Sequence, residues 1–411
     1  MSAALRRRRG YCPSVWKPMP SGDGLIVRFA VPASGLRSSQ LRALLQLART
    51  HGSGLIEITR RGKLQLRGVR DEALPVLQRE LQQLGLAEDS ALVINPLAGL
   101  AAGTRPLDAL AGAISEALRA RREGFLSDKF AVVLDCGGLL RDIRADVLVE
   151  LDPEGDVATL SVPAATRGGF HELGTCRSHD CPRAVTELAN ELASFSSVAR
   201  MRDVVAFSGM APLEARFAPF ACGTAPRAAA EPISGAWIGF HTGSRPWLGL
   251  GLPFGSADAT SWRALVELAE WFGSAELRFT PQRGVILPDV AAQHVQEVTE
   301  LARNAGLILD AGDPLLRAIA CPGAPACSSA HGPTRDIARS LLPLLAADQT
   351  LHVSGCRKGC ASSASAAITL VCEPEGARLG SDADVFEVAS LPVLTLSEIR
   401  SRCAAQAHGG T

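Results

Sequence analysis

The sequence predicts an α+β fold in which one two-part unit occurs twice. Residues 22–69 ("GDGLIVRFAVPASGLRSSQLRALLQLARTHGSGLIEITRRGKLQLRGV") and 246–290 ("PWLGLGLPFGSADATSWRALVELAEWFGSAELRFTPQRGVILPDV") follow one plan. The stretches behind them are alike in outline. Four cysteines then crowd into residues 321–360, in the second copy only.

Each copy begins with an alternating apolar strand that ends in a Pro turn. A helix of 3.6-residue periodicity follows, around 38–50 and 260–272. A Gly-Ser turn leads to a second alternating strand, Ile56-Glu57-Ile58-Thr59 and Leu277-Arg278-Phe279-Thr280. An Arg-Gly turn, a third short strand and a closing helix ("DEALPVLQRELQQLG", "VAAQHVQEVTELARNAG") complete each copy. Strand–helix–strand–strand–helix is the order of a ferredoxin-like half. The expected half-domains are 1–90 and 236–310. Residues 91–200 predict a first α/β domain, with helices near 107–121 and 183–195 and strands near 130–135 and 146–151. Residues 311–411 predict a second, with a helix near 334–345 and strands near 350–353 and 367–371. Residues 201–235, rich in Ala, Pro and Gly, read as the linker. A ligand site is expected between the halves, because clefts at domain interfaces collect ligands.

The 411 residues are 47% hydrophobic, enough for several domains with proper cores. Acidic and basic residues balance at 42 each, which argues against nucleic acid or an anionic membrane as partner. No apolar run reaches the roughly 18–20 residues that span a bilayer. The Arg6–Arg9 run has no apolar stretch behind it and reads as a solvated tail. A cytoplasmic location is expected. Eleven cysteines in a chain of this length argue for metal or catalytic use over a disulfide framework.

Cys321, Cys327, Cys356 and Cys360 are spaced C-x5-C-x28-C-x3-C. Four thiolates complete a 4Fe–4S cube. Gly323, Gly355 and Gly359, with small Ala and Ser neighbours, let backbone fold closely around such a group and aim N–H donors at its sulfurs. Structural zinc is the alternative, although its usual C-x2–4-C knuckles fit C-x5-C poorly.

The strand reading of 61–67 puts Arg61, Lys63, Gln65 and Arg67 on one face and Leu64 and Leu66 on the other. Three cations on a core strand call for anionic partners. The second copy offers the matching turn Thr280-Pro281-Gln282-Arg283-Gly284.

"GYCPSVWKPMPSGDGLIVR", "ITRRGKLQLRG", "INPLAG", "IACPGAPACSSA" and "HVSGCRKGCASS" together resemble the siroheme-dependent sulfite and nitrite reductases. Within that superfamily they are most similar to the precorrin-3B synthases of aerobic cobalamin biosynthesis. The resemblance implies duplicated ferredoxin-like half-domains plus two sulfite-reductase-like α/β domains, the second with a Cys-ligated iron–sulfur cluster. It implies an oxygen-dependent monooxygenase that hydroxylates precorrin-3A at C20 and closes a γ-lactone. Electrons would come through a partner reductase or ferredoxin, with NADH as formal donor. Arg61, Lys63, Arg67, Lys129 and Arg283 would bind the carboxylates of the tetrapyrrole, with Arg61 the residue matched to the family's macrocycle contact. Lys129 matches a family lysine, while Ala131 stands where a second is expected. The superfamily's siroheme-holding Arg is missing between Leu86 and Pro96, so the tetrapyrrole is expected as substrate and siroheme as cofactor only in a reductase. The rival readings are a siroheme-dependent sulfite or nitrite reductase and a non-catalytic iron–sulfur electron carrier.

The resemblance also implies a mononuclear non-haem iron, but no catalytic residue is assignable. His171, Cys176, His179 and Cys181 crowd into "HELGTCRSHDC", which matches no standard metal site and reads as a loop before a helix. Cys12, Cys136, Cys222, Cys372 and Cys403 read as small buried hydrophobes. "LGLGLPFG" alternates like a strand and is not a dinucleotide loop.

Overall fold

The computed structural model describes residues 12–408 except 89, 123, 138, 141–142, 166–168, 197, 226–236 and 363. The Arg6–Arg9 run lies outside the described residues. The first half contains β1 (Met19–Ser21), β2 (Gly24–Phe29), β3 (Leu36–Arg37), α1 (Ser38–His51), β4 (Ile56–Ile58), β5 (Leu64–Val69) and α2 (Leu74–Gln83). The first α/β domain follows with β6 (Leu92–Ile94), α3 (Asp108–Ala120), β7 (Val132–Asp135), β8 (Val147–Leu151), β9 (Val157–Pro163), β10 (Phe170–Arg177) and α4 (Cys181–Phe195).

Two further helices, α5 (Met201–Ser208) and α6 (Ala211–Phe217), occupy much of the segment expected as a linker over 201–235. Met201, Val204, Leu213 and Phe217 are buried in the core of the first α/β domain. The Pro and Gly residues that suggested a linker bound these helices: Pro212 lies in the first turn of α6, and Gly209 ends α5. Residues 226–235 of that segment lie outside the described residues.

The second half contains β11 (Gly239–His241), β12 (Trp247–Gly251), β13 (Ser256–Ala257), α7 (Ala259–Phe272), β14 (Glu276–Phe279), β15 (Gly284–Pro288) and α8 (Val295–Asn304). The second α/β domain has β16 (Ala318–Ala320), α9 (Thr334–Leu341), β17 (Leu351–Ser354), β18 (Ala366–Glu373), β19 (Gly376–Ala383), α10 (Val385–Val388), β20 (Val393–Leu394) and α11 (Leu396–His408).

The halves exchange strands. One sheet runs β1-β2-β5-β4-β13 and the other β11-β12-β15-β14-β3. β13 of the second half pairs with β4 through Ala257↔Ile56, and β3 of the first pairs with β14 through Leu36↔Leu277. Each half therefore supplies the edge strand of the other. Helices α1 and α7 pack between the sheets, and Leu41, Leu44, Leu64 and Leu66 share one core with Leu248, Trp262, Leu265 and Val285.

The α/β domains carry equivalent mixed sheets, β10-β9-β8-β7-β6 and β16-β17-β18-β19-β20. In each, three parallel strands are followed by two antiparallel ones. No helix among the described residues is long and apolar enough to cross a membrane.

Candidate functional site

Two equivalent turns meet at the centre of the molecule. In the first, Thr59 N–H donates to Lys63 O at 2.8 Å and Gly62 N–H to Thr59 O at 3.0 Å. In the second, Thr280 N–H donates to Gly284 O and Arg283 N–H to Thr280 O, both at 2.9 Å. The turns abut: a Cβ on Gly62 would lie 3.1 Å from Phe279 O. Each turn sends one side chain to each α/β domain. Arg60 Nη1 donates to Ser362 Oγ at 2.8 Å and Arg283 Nη2 to Ala361 O at 3.2 Å, both just past Cys360. Arg61 Nη2 donates to Lys129 O at 2.8 Å and Gln282 Nε2 to Leu139 O at 3.3 Å, in the first α/β domain.

On the cysteine side, Cys321 follows β16 and Cys356 follows β17, and these parallel strands bring their loops together. Cys321 Sγ accepts the N–H of Gly355 at 3.2 Å, and Lys358 Nζ donates to Ser329 Oγ at 3.2 Å across the two loops. A Cβ on Gly355 would lie 2.6 Å from that of Ala330, so only glycine allows this approach. The β1–β2 hairpin closes over the first loop: Ser328 Oγ donates to Gly22 O at 2.6 Å, and a Cβ on Gly22 would come within 2.9 Å of Cys327 Sγ. All eleven cysteines are free of disulfides. Burial pushes the Cys321 thiol up from its ordinary acidity. Among the described residues, no three His, Cys, Asp or Glu side chains stand close enough to hold one metal ion. Four thiols on two touching loops, with a backbone N–H on sulfur and small neighbours, nevertheless have the donor chemistry of a thiolate-held cluster.

The first half meets this domain through a polar sheet face. Arg28, Gln65 and Glu57 lie side by side across β2, β5 and β4. Arg28 donates to Gln65 Oε1 at 2.8 Å, Gln65 to Glu57 Oε2 at 2.8 Å, and Arg335 of α9 to Glu57 Oε1 at 2.7 Å. Behind them Arg283 Nη1, Arg335 Nε and both ring nitrogens of His352 are buried without a hydrogen-bond partner. Burial, then the charge of Arg60, brings the Arg283 guanidinium down to about 10. Burial, then Arg283 and Arg60, brings His352 down to about 4.

The equivalent interface on the other side is filled. The row matching Arg28–Gln65–Glu57 is Gly249–Ile286–Arg278. Ile286 packs with Leu97, Leu100, Trp237 and Trp247, and Arg278 Nη1 donates to Pro96 O at 3.1 Å and Ala98 O at 2.7 Å. Asn95 stands where Cys321 stands in the other domain. It donates to Asp135 Oδ1 and Cys136 O, both at 2.7 Å, while Asp135 Oδ2 accepts Leu140 N–H at 3.0 Å. Protein hydrogen bonds occupy the place of the cysteine loops.

The five basic residues expected to bind carboxylates therefore separate. Arg61 and Lys63 line one small cavity with Arg278 and Pro96, and Arg61 touches the Lys129 backbone. Burial, then Arg200, lowers the Arg61 guanidinium. Arg283 is on the cysteine side. Arg67 is 4% exposed and binds Asp23 through Nε at 2.9 Å and Nη2 at 2.8 Å, with Glu57 3.6 Å away. Its anionic partners are internal, which corrects its place among the ligand-binding residues. Alternation also fails at Arg61 and Lys63, because β5 begins only at Leu64 and both belong to the turn. That same turn hid Arg60. His352 and Arg335 were also missed; a lone His inside "LHVS" was the available signal.

"HELGTCRSHDC" is strand β10 and a 3-10 turn rather than a loop. Cys176 and Cys181 face each other at 3.6 Å in the core, while His179 is at the surface beside Asp180. Cys136, Cys372 and Cys403 are buried, whereas Cys12 and Cys222 are only half-buried, which corrects their place among the core hydrophobes. "LGLG" lies on strand β12.

The nitrite/sulfite reductase ferredoxin-like half-domain family matches residues 17–84 and 241–305. A precorrin-3B synthase from Sinorhizobium sp is 31% identical over 385 residues, covering 90% of this chain and 82% of that protein. A ferredoxin–nitrite reductase from Synechococcus elongatus is 26% identical over 418 residues, covering 90% and 80%. The solved structure of NirA from Mycobacterium tuberculosis superposes with a TM-score of 0.69 at 18% identity, covering 92% of this chain and 79% of that one. That likeness shows the fold alone. By its similarity to the Sinorhizobium protein along nearly the whole chain, this protein belongs to the precorrin-3B synthase family of oxidoreductases, built on the nitrite/sulfite reductase ferredoxin-like plan.

Proposed function

We propose that the chain is an oxygen-dependent monooxygenase that hydroxylates precorrin-3A at C20 and closes a γ-lactone, with the tetrapyrrole as its substrate. The observation that carries this reading is the difference between the two equivalent interfaces. One is filled by Ile286, Leu97 and the Asn95–Asp135 hydrogen bonds; the other leaves Arg283 Nη1 and both ring nitrogens of His352 buried and unpaired beside the cysteine loops, with the exposed Arg60 at its edge. Arg283 has a neutral backbone carbonyl as its hydrogen-bond partner and one buried nitrogen left over, which calls for an anionic ligand, and a tetrapyrrole precursor carries several carboxylates.

In this reading Arg283 and Arg60 take carboxylates from the cysteine side, and Arg61, Lys63 and Lys129 from the other. Arg forks pair with carboxylates in two-pronged fashion. Holding the macrocycle at opposite edges fixes which meso carbon is presented, a positioning role. Arg67 acts through Asp23, holding the β1–β2 hairpin over Cys327. Cys321, Cys327, Cys356 and Cys360 would hold a 4Fe–4S cluster, which supplies electrons one at a time when bound. A reductase or ferredoxin would deliver them, with NADH as formal donor. The balance is one substrate C–H, one O2, two electrons and two protons in, and one C–OH and one water out. A cytoplasmic location suits such a partner and cofactor.

A siroheme-dependent nitrite or sulfite reductase is the second reading, favoured by the Synechococcus relative. Against it stands the absence of any Arg between Leu86 and Pro96. Anaerobic purification with iron and acid-labile sulfide analysis, followed by addition of precorrin-3A and air, decides between them. The expected result is an iron–sulfur absorption without siroheme bands, and a product heavier by one oxygen. Tightly bound siroheme and no oxygenated product would overturn the monooxygenase reading.

A further inference from the structure

The internal duplication is a control for each residue at the centre. Arg283 and Gly62 hold the same place in equivalent turns, each with φ of 68°. The first half puts glycine at this left-handed position; the second puts an arginine there, where a side chain is strained. His352 and Val133 are equivalent too, because Ile319 pairs with His352 as Val93 pairs with Val133. Val133 packs among Val93, Leu140, Ala145 and Leu148. His352 fills the same position with a buried ring that has no hydrogen-bond partner.

Both departures work against folding, and both fall on one spot. The charged groups around His352 are Arg283 and Arg60 from the two turns and Asp384 from the N-cap of α10. Arg283 has one guanidinium nitrogen unbonded. Burial and two neighbouring cations keep the ring neutral. An anion between the guanidiniums offsets their repulsion and adds an attraction for the protonated ring that works against the cost of its burial.

We propose that a substrate carboxylate sits between Arg60 and Arg283, and that His352 takes up one proton as it arrives. This rests on the tetrapyrrole reading above. The site then loads anion and proton together. The proton is held beside the macrocycle in a reaction whose balance consumes two. Giving it up returns His352 to the neutral ring.

The test is titration calorimetry of the full chain with uroporphyrin III, an octacarboxylic tetrapyrrole, at pH 6 in buffers of different ionisation heat. The wild type should take up about one proton more per probe bound than His352→Val or His352→Gln, and by the same linkage should bind about tenfold more tightly than either at pH 6. Val is the residue of the equivalent position, and Gln is a second variant should Val disturb the fold. Arg283→Gly restores the glycine of the equivalent turn; it should bind about tenfold more weakly or worse and lose the extra proton. Equal uptake in wild type and both His352 variants, or wild-type binding by Arg283→Gly, would sink this proposal while leaving tetrapyrrole binding intact. Failure of the wild type to bind the probe overturns both.

Discussion

Glu57 accepts from Arg335 at 2.7 Å and Gln65 at 2.8 Å, with Arg67 3.6 Å away. Removing one partner of a buried ionic network leaves the others uncompensated. Glu57→Ala should therefore cost about 3–5 kcal/mol, read from the denaturant midpoint. His352 makes the opposite prediction. His352→Val removes a buried polar ring with no partner and should stabilise the protein by about 1–3 kcal/mol at pH 7. The pH dependence has a definite sign. His352 in the fold lies at about 4, below its ordinary 6.5, so the unfolded chain binds the extra proton. Its share of stability is complete above pH 6.5 and is lost as pH falls toward 4, on the order of 3 kcal/mol in all. The wild-type stability curve should drop through that window by this much more than that of His352→Val; parallel curves would refute it. At this scale the sequence was partly legible. "TRRGK" announced charge, but whether Arg67 meets Asp23 or a ligand depends on a hairpin 44 residues earlier.

At the scale of elements, the short strands β3 and β13 carry more than their length suggests. Leu36 in β3 is fully buried and pairs with Leu277 of the other half. Leu36→Ala should cost about 2–5 kcal/mol and should loosen both halves together, seen as faster amide exchange in β14 as well as α1. Asp258 caps α7, accepting Ser261 N–H at 2.8 Å. Asp258→Ala should cost about 1 kcal/mol in thermal unfolding. The long periodic helices 38–51, 108–120, 181–195 and 259–272 stand where the 3.6 pattern put them, since each buries one apolar stripe. Strands β9, β10, β19 and β20 went unread. They form the antiparallel outer parts of their sheets, where the exposed and polar residues of β10 and β19 obscure the pattern.

For the whole molecule, the exchange of β3 and β13 and the shared core make the two halves one folding unit. Residues 12–88 expressed alone should lack a cooperative unfolding transition, because β4 would lose β13 and the inner core would face water. Differential scanning calorimetry of that fragment beside the full chain is the check. The two α/β domains dock on the pair through interfaces of opposite character, one polar and one apolar. The difference arises at the matched rows Arg28–Gln65–Glu57 and Gly249–Ile286–Arg278.

The sequence by itself determined the duplication, the helices, the cysteine spacing and the family, because these rest on local periodicity and on motifs contiguous in the chain. The tertiary structure alone decided which half lends which strand, which basic residues already have internal partners, and that Arg60, Arg283 and His352 converge beside Cys360. Those outcomes depend on contacts between residues up to 302 positions apart, as between Arg60 and Ser362. Burial and charge pairing are properties of the assembled surroundings, and neither is written in a residue's immediate neighbours.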